Sequence, residues 1–441
     1  MSDAVLDPPG LTEPVVVRVP RPRARKRRTR RPVRKGVLLA HRWSSLVLGM
    51  ILVVVCTTGA SLVYAPELLK ATNSDLFAST TAEPVGFAAA FDAVRAADPG
   101  FATTYASEKD GVYVLFSDDP TSNEAYYVDA GTGAINGHGD IYGGVIGFLV
   151  NVHDCGLTCE AYPGYLPWLE EASPLAGFGA TADMTWGGMV LAGTGLLLLV
   201  LAISGIALWW PGIGKWRHGF RVRLGRGRFA RDYDLHNVIG IVAAPALLIW
   251  ALTGMNFEIP AVADLWYSAT GGTAVADDAY DMEPSGKAGP DITLAAAAAA
   301  ATAVFPGSVI TAVTLPADTD GHYGFTLLDR GPDGSKADLW AHSPTYHGNR
   351  SVGVDAHDAT DVKVMSGTPS SVSNEVIDQW AQPMLHYGVS VNPWWRSLWF
   401  LFGLTPLLLM ITGVSTWLFR RGTTRRKNQA RAARAAAQSQ A

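Results

Sequence analysis

Four long apolar stretches separate the polar parts of this chain and limit what it can fold into. They cover residues 37–63, 186–210, 238–257 and 398–419. Crossing about 30 Å of hydrocarbon takes about 20 residues of helix, and each stretch is long enough. Charged residues stay at the margins of the stretches, apart from Arg42 near the start of the first. A buried helix in a soluble domain is the alternative for any one stretch. Run length and flanking charge argue for membrane helices at all four. Mean hydropathy is only +0.15, because long polar loops dilute the spans.

Lysine and arginine set the expected orientation. The tail, residues 1–36, is densely basic between positions 21 and 35. The segment 211–237 holds Lys215, Arg217, Arg221, Arg223, Arg226, Arg228 and Arg231. The C-terminal segment 420–441 is basic as well. The two long loops, 64–185 and 258–397, hold few bases and most of the acids. Both termini and the short middle segment are therefore expected in the cytoplasm, with the long loops outside a cytoplasmic (inner) membrane. A nucleic acid is a possible partner for a basic tail, but a membrane helix follows directly. Topology and anionic headgroups account for the charge better, so no nucleic-acid partner is expected. The first span is too long and too far from residue 1 for a cleaved signal peptide. Rich in Pro and Arg, the tail is expected to be disordered.

The chain repeats itself. Each span carries a Ser/Thr-Gly pair: Thr58-Gly59, Ser204-Gly205, Thr253-Gly254 and Thr412-Gly413. Small residues let helices approach closely or leave room for a bulky ligand. His41 precedes Thr58 by 17 positions, and His236 precedes Thr253 by the same 17. The second and fourth spans each follow a loop with one well-placed histidine, His153 and His386. The loops also match. The first reads as a helix over 87–97 with strands near 101–105, 111–116 and 125–129. The second reads as a helix over 294–304 with strands near 309–315, 322–328 and 351–355. The expected fold is a membrane protein of four transmembrane α-helices in two parallel repeats, each enclosing an external α+β domain. A pseudo-two-fold axis along the membrane normal would then bring His41 opposite His236, and His153 opposite His386.

Ionisable groups at membrane depth are costly and usually functional. Two facing imidazoles suit the axial positions of a haem iron. Two such pairs stacked across the bilayer would make an electron path. The rival reading of each histidine is an interfacial or capping group. Zinc is a further rival, but no span carries two histidines one turn apart. His138, His218, His322, His342, His347 and His357 lie in polar loops and read as surface residues. Cys155 and Cys159, beside His153, read as a short structural disulfide on the oxidising side, with a redox or metal role as the alternative. Cys56 reads as packing. No phosphate loop, dinucleotide fingerprint or nucleophile elbow occurs in the chain.

The segments Leu39-Ala40-His41-Arg42-Trp43, Ile203-Ser204-Gly205-Ile206-Ala207-Leu208-Trp209-Trp210-Pro211, Asp234-Leu235-His236-Asn237-Val238-Ile239-Gly240 and Leu385-His386-Tyr387-Gly388 carry a resemblance. In them the chain resembles the PepSY-associated transmembrane family. These are iron-regulated bacterial membrane proteins, some of which act as inner-membrane ferrisiderophore reductases. The resemblance covers nearly everything after Lys35. It implies PepSY-like folds in the outer loops and two b-type haems, with His41, His153, His236 and His386 as axial ligands of the haem iron. It also implies a ferric siderophore as substrate. The segment 211–237 is too short to hold a flavin or nicotinamide domain, so the electron donor is expected to be a separate cytosolic reductase or a membrane quinol. The chain departs from the family after His153, where Asp154-Cys155 and a long insert precede the second span. It departs again at Asn237, where arginine is common. Tyr142, Tyr165, Trp168, Trp380, Tyr387 and Trp394 lie near the outer histidines in sequence and are candidate substrate contacts, with an interfacial aromatic belt as the alternative. Two other classes remain open: a non-enzymatic membrane protein whose PepSY domains bind peptides or restrain peptidases, and a protein that handles haem or metal without electron transfer.

Overall fold

The computed structural model describes residues 32–80, 83–140, 143–177, 184–273, 289–316, 321–331, 350–366, 371–390 and 392–440, with a few single positions between them. Among the described residues, four helices are long and apolar enough to cross a membrane. The first, α1 (Pro32–Leu62), starts five residues before the apolar stretch, within the tail expected to be disordered. Proline favours a first helical position, where its missing N–H costs nothing. The rest of that tail, residues 1–31, lies outside the described residues.

Beyond α1 come α2 (Ala65–Thr72) and α3 (Phe87–Ala97). The strands β1 (Tyr105–Lys109), β2 (Val112–Phe116), β3 (Glu124–Asp129) and β4 (Ile135–Asp140) follow, then the helices α4 (Gly144–His153) and α5 (Pro167–Glu170). The second and third long helices are α6 (Trp186–Trp209) and α7 (Arg228–Glu258). After α8 (Ala261–Thr270) and α9 (Leu294–Val304) come β5 (Ser308–Thr314), β6 (His322–Asp329), β7 (Arg350–Asp355) and β8 (Val362–Ser366). A single turn, α10 (Val372–Glu375), leads into π-helical backbone over Val376–Ala381. The chain closes with α11 (Pro393–Gly403) and α12 (Thr405–Gln440).

Two spans depart from their apolar outlines. The third begins at Arg228, ten residues before the stretch at 238. Asp232 and Asp234 are buried on that added part. Arg223 grips Asp234 with Nε at 2.7 Å and Nη2 at 2.8 Å, while Arg231 and Arg228 pair with Asp232. The charges are matched locally, so the helix runs on where hydropathy alone would stop it. The fourth span breaks at Leu404 between α11 and α12. Pro406 explains the break, since it lacks an N–H to donate one turn back and its ring crowds the carbonyl there.

The two long loops meet in one eight-stranded antiparallel sheet of order β4-β3-β2-β1-β5-β6-β7-β8. Each loop supplies four strands, and the join is β1 against β5, with Tyr105 opposite Thr314 and Ser107 opposite Ala312. Alternation along β2 sends Tyr113 and Leu115 into a core with α3 and α9, and Val112 and Val114 into a core with α2 and α4. Three strand expectations needed correction. β1 lies at Tyr105–Lys109 rather than 101–105, because Phe101 packs on Tyr126 and the Thr104 amide donates to Asp118. β4 and β8 were not foreseen. β4 carries two glycines and one large apolar residue, and β8 is a short edge strand, so neither shows a strong period of two.

The corner Val128-Asp129-Ala130 at the end of β3 has a defined role. Burial works against the Asp129 carboxylate, but it accepts from the Thr80 amide, the Gly131 amide and the hydroxyls of Thr132 and Thr80. Together these bonds hold its pKa below the ordinary carboxylate value. The folded-state pKa is depressed, so this stabilisation is present above the unfolded pKa and is lost as pH falls through the folded one.

Candidate functional site

His41, His153, His236 and His386 form two pairs. At the basic end of the helices, His41 on α1 and His236 on α7 have ring centroids 6.5 Å apart, with planes at 87°. At the sheet end, His153 and His386 are 6.3 Å apart, with planes at 36°. A metal bound by two imidazoles has metal–nitrogen bonds of about 2 Å, and each nitrogen lies about 1 Å from its ring centre, so centroids about 6 Å apart suit an ion between them. Among the described residues, no group of three or more His, Cys, Asp or Glu side chains gathers as a metal site.

Each histidine rests on one of the Ser/Thr-Gly pairs. His41 Nδ1 lies 2.8 Å from Ser204 Oγ, and His386 Nδ1 lies 2.7 Å from Thr253 Oγ1. His236 Nδ1 is 3.1 Å from both Thr412 Oγ1 and the Leu409 carbonyl. His153 Nδ1 meets the Val55 carbonyl at 2.7 Å, in place of the Thr58 hydroxyl. Ser204, Thr253 and Thr412 already donate their single hydroxyl hydrogens to carbonyls one turn back, on Val200, Ile249 and Leu408. A hydroxyl that has donated can only accept. The network therefore assigns the proton to Nδ1 on all four histidines and makes Nε2 the lone-pair nitrogen, as a metal requires.

At one of the four pairs the glycine is required for the approach, and at the other three the histidine lies at ordinary contact distance. A Cβ added at Gly59 would lie 2.3 Å from His153 Cε1. At Gly254 and Gly413 it would lie 3.4 Å from the Cε1 of His386 and His236, and at Gly205 3.6 Å from His41 Cε1. Sequence reasoning read these glycines as close-packing or ligand-clearance positions. It did not see that each pair seats a histidine from the same half of the chain, while the histidines pair across the halves. The recurrence of Ser/Thr-Gly once per span was the available signal.

Different elements deliver the sheet-end histidines. His153 ends α4, which packs along α1. The insert after it folds back onto the start of α6, and Gly156 and Gly187 approach so closely that a Cβ on Gly156 would lie 2.8 Å from the Gly187 backbone. Cys155 and Cys159 are joined in a disulfide within this turn. Buried Asn151 binds the carbonyls of Cys159 and Tyr162, both at 3.2 Å. His386 lies in the turn after the π-helical segment. Two tryptophans of α11 peg that turn, Trp395 donating to the Met384 carbonyl and Trp399 to the Leu385 carbonyl, each at 2.8 Å. Asn151, Trp395 and Trp399 went unnoticed in the sequence, because polar loop residues and interfacial tryptophans carry no periodic signal.

Between the pairs lies an apolar layer of Leu52, Leu198, Ala202, Ala243, Leu247 and Ala251. His236 and Thr253, which seats His386, are 17 residues apart on α7. That is about 25 Å of helix rise, so the pairs sit near opposite faces of a bilayer core about 30 Å thick.

The candidate aromatic contacts divide. Tyr387 stacks on Phe257 at 5.9 Å, beside His386. The Tyr165 hydroxyl donates to the Glu170 carboxylate, which raises its pKa to about 12 and keeps it a neutral phenol. Trp168, Trp380 and Trp394 are exposed. Tyr142 lies outside the described residues, as do His342 and His347. His138 and His218 are exposed, whereas the His357 side chain is only 8% exposed and lies 3.5 Å from Asp291.

A family model described as the PepSY-associated TM region matches residues 38–420. No curated protein matches the chain.

Proposed function

Because this chain belongs to the PepSY-associated transmembrane family, we propose that it is a di-haem electron-transfer protein that reduces ferric siderophore iron at the outer face of the cytoplasmic membrane. The observation that carries this reading is the common construction of the two histidine pairs at two depths. Both have ring separations that would suit an iron held between two imidazoles, and all four Nδ1 atoms are engaged by acceptors from their own half of the chain. His41 and His236 would hold one haem b, and His153 and His386 the other. Bound there, the cofactor supplies one-electron exchange. The chain's own part is to fix ring orientation through Nδ1, clear space for the His153 ring at Gly59 and keep water out of the layer between the pairs.

The architecture reads as two parallel repeats, each a helix, an external PepSY-like α+β part and a helix. The disulfide on the sheet side and the arginines at the opposite end support an outer sheet and cytoplasmic termini. Ferric siderophore iron is the substrate. Reduction weakens a hard-oxygen chelator's hold, because the ferrous ion carries less charge and is softer. The electrons come from a cytosolic reductase or a membrane quinol.

The direct test is the absorption spectrum and haem stoichiometry of detergent-purified protein, which should give about two b-type haems per chain. Gly59→Ala should cut this to about one, because its Cβ drives the His153 ring out of place, although alanine favours the helix itself. Gly205→Ala makes an ordinary contact and should leave the count unchanged. A haem-free wild-type preparation from haem-replete cells would defeat the proposal in favour of a peptide-binding role.

Orientation is checked separately with paired reporter fusions, active only inside or only outside the membrane. Fusions after Arg421 and within residues 215–231 should report cytoplasm, and fusions at Asp118 and Asp333 should report the exterior. A cytoplasmic signal at Asp333 would overturn the parallel-repeat topology.

A further inference from the structure

At the basic end of the helices, α1 and α12 border a cavity of about 660 Å³ lined by Arg42, Trp417, Arg420, Arg421, Arg425 and Asn428, among others. Trp417, Arg421, Arg425 and Asn428 recur at helical spacing, so one face of α12 forms one wall. Four arginines line this space, and among the described residues no carboxylate does. The ring contacts of these arginines leave their charge uncompensated. Arg420 lies over Phe229 at 5.4 Å and Tyr233 at 5.7 Å, Arg421 over Trp417 at 5.4 Å, and Arg42 over Trp43 at 5.4 Å. Nearby, the fold does supply acids: Arg223 is paired with Asp234, and Arg228 and Arg231 with Asp232. Among the described residues, none of the four cavity arginines has such a partner. The Nε of Arg42 is buried and has no hydrogen-bond acceptor among the described residues. A buried donor left unpaired is costly, so an incoming oxyanion would recover that loss.

We propose that this cavity binds the phosphate of an anionic phospholipid. Its depth argues for a lipid. Trp417 lies only four residues beyond Gly413, the seat of His236, and Leu418 and Phe419 are exposed beside it. On the facing helix, Leu38, Leu39 and Trp43 are exposed on either side of Arg42. Guanidinium forks therefore adjoin apolar surface on both helices. A phosphodiester with acyl chains satisfies both, whereas free phosphate satisfies only the forks. Basic pockets between membrane helices favour anionic headgroups on these grounds. This inference does not depend on haem.

The test is native mass spectrometry of the full-length, delipidated protein in mild detergent, with dioleoyl phosphatidylglycerol or dioleoyl phosphatidylcholine added. One phosphatidylglycerol should survive activation that strips phosphatidylcholine. Arg421→Gln with Arg425→Gln should weaken its retention about tenfold or more. Arg434→Gln, farther along the exposed tail of α12, should match wild type. Equal retention of the two lipids would overturn the proposal, as would wild-type retention by the double variant. Displacement of the lipid by equimolar inorganic phosphate would reassign the site to the free anion. Haem content is measured on the same samples. A double variant that keeps its lipid but loses haem would place these arginines at the cofactor and overturn the proposal.

Discussion

His41→Ala and His236→Ala should each remove the same single haem, and His153→Ala and His386→Ala should each remove the other. The rings of each pair lie 6.5 and 6.3 Å apart, on opposite sides of where one iron would sit. A b-type haem has no covalent tether, so loss of one of the two histidines that would hold it should empty the site, and content should fall from about two per chain to about one. The double variant within a pair should look like either single variant, because both changes act on one site. The double variant His41→Ala with His153→Ala should lose both haems, since the two sites share no ligand. Redox titration identifies which haem is lost through its own midpoint potential. If His41→Ala and His386→Ala emptied the same site, the cross-half pairing would be wrong. The seats make a second distinction. A misfolded variant would lose both haems together, whereas a ligand loss leaves the other pair on its own hydroxyl or carbonyl contacts.

Ferric chelates added to the sheet side of pre-reduced protein in liposomes should oxidise both haems, with ferrous iron trapped in stoichiometric amount. Excess reductant is removed first and oxygen excluded. His386→Ala should abolish the rapid phase while leaving the basic-end haem in place. A haem there would lie about 25 Å of helix rise from the emptied sheet-end site, behind the apolar layer. The long loops hold most of the acids, so net charge would not steer an anionic chelate to this face. Neutral or cationic chelates should therefore react faster, and rates for anionic ones should rise with salt as repulsion is screened. Exposed Trp168, Trp380 and Trp394 offer flat apolar contact near the sheet end. If no chelate in a panel of hydroxamate and catecholate types oxidised the haems faster than buffer, the reductase reading would fail, and haem handling would take its place.

Much of the scaffold was legible in the sequence because its signals are local. A helix that must cross hydrocarbon needs a run of apolar residues of fixed length, and four such runs stand out. The helices α3 and α9 were legible at Phe87–Ala97 and Leu294–Val304 for a similar reason, each having a compact apolar stretch after a break. The edge strands were harder to see. β4 at Ile135–Asp140 is held by its neighbour β3 rather than by any pattern of its own. The early start of α7 was hidden because hydropathy counts Asp232 and Asp234 as breaks, although the paired arginines make them tolerable.

The sequence by itself determined the number of spans, the positions of the four histidines and the 17-residue interval shared by His41 and His236, since composition and spacing are properties of a short stretch of chain. Only the tertiary structure decided what those histidines rest on. His41 meets Ser204 across 163 residues of chain, and His236 meets Thr412 across 176. It also decided that β1 and β5 join the two loops into one sheet. Such contacts form when packed helices and strands bring distant residues within about 3 Å, and no local pattern specifies which hydroxyl will accept which ring nitrogen. The proton on each Nδ1 is decided at that level too, because it depends on where the partner hydroxyl has already placed its own hydrogen or, for His153, on the Val55 carbonyl.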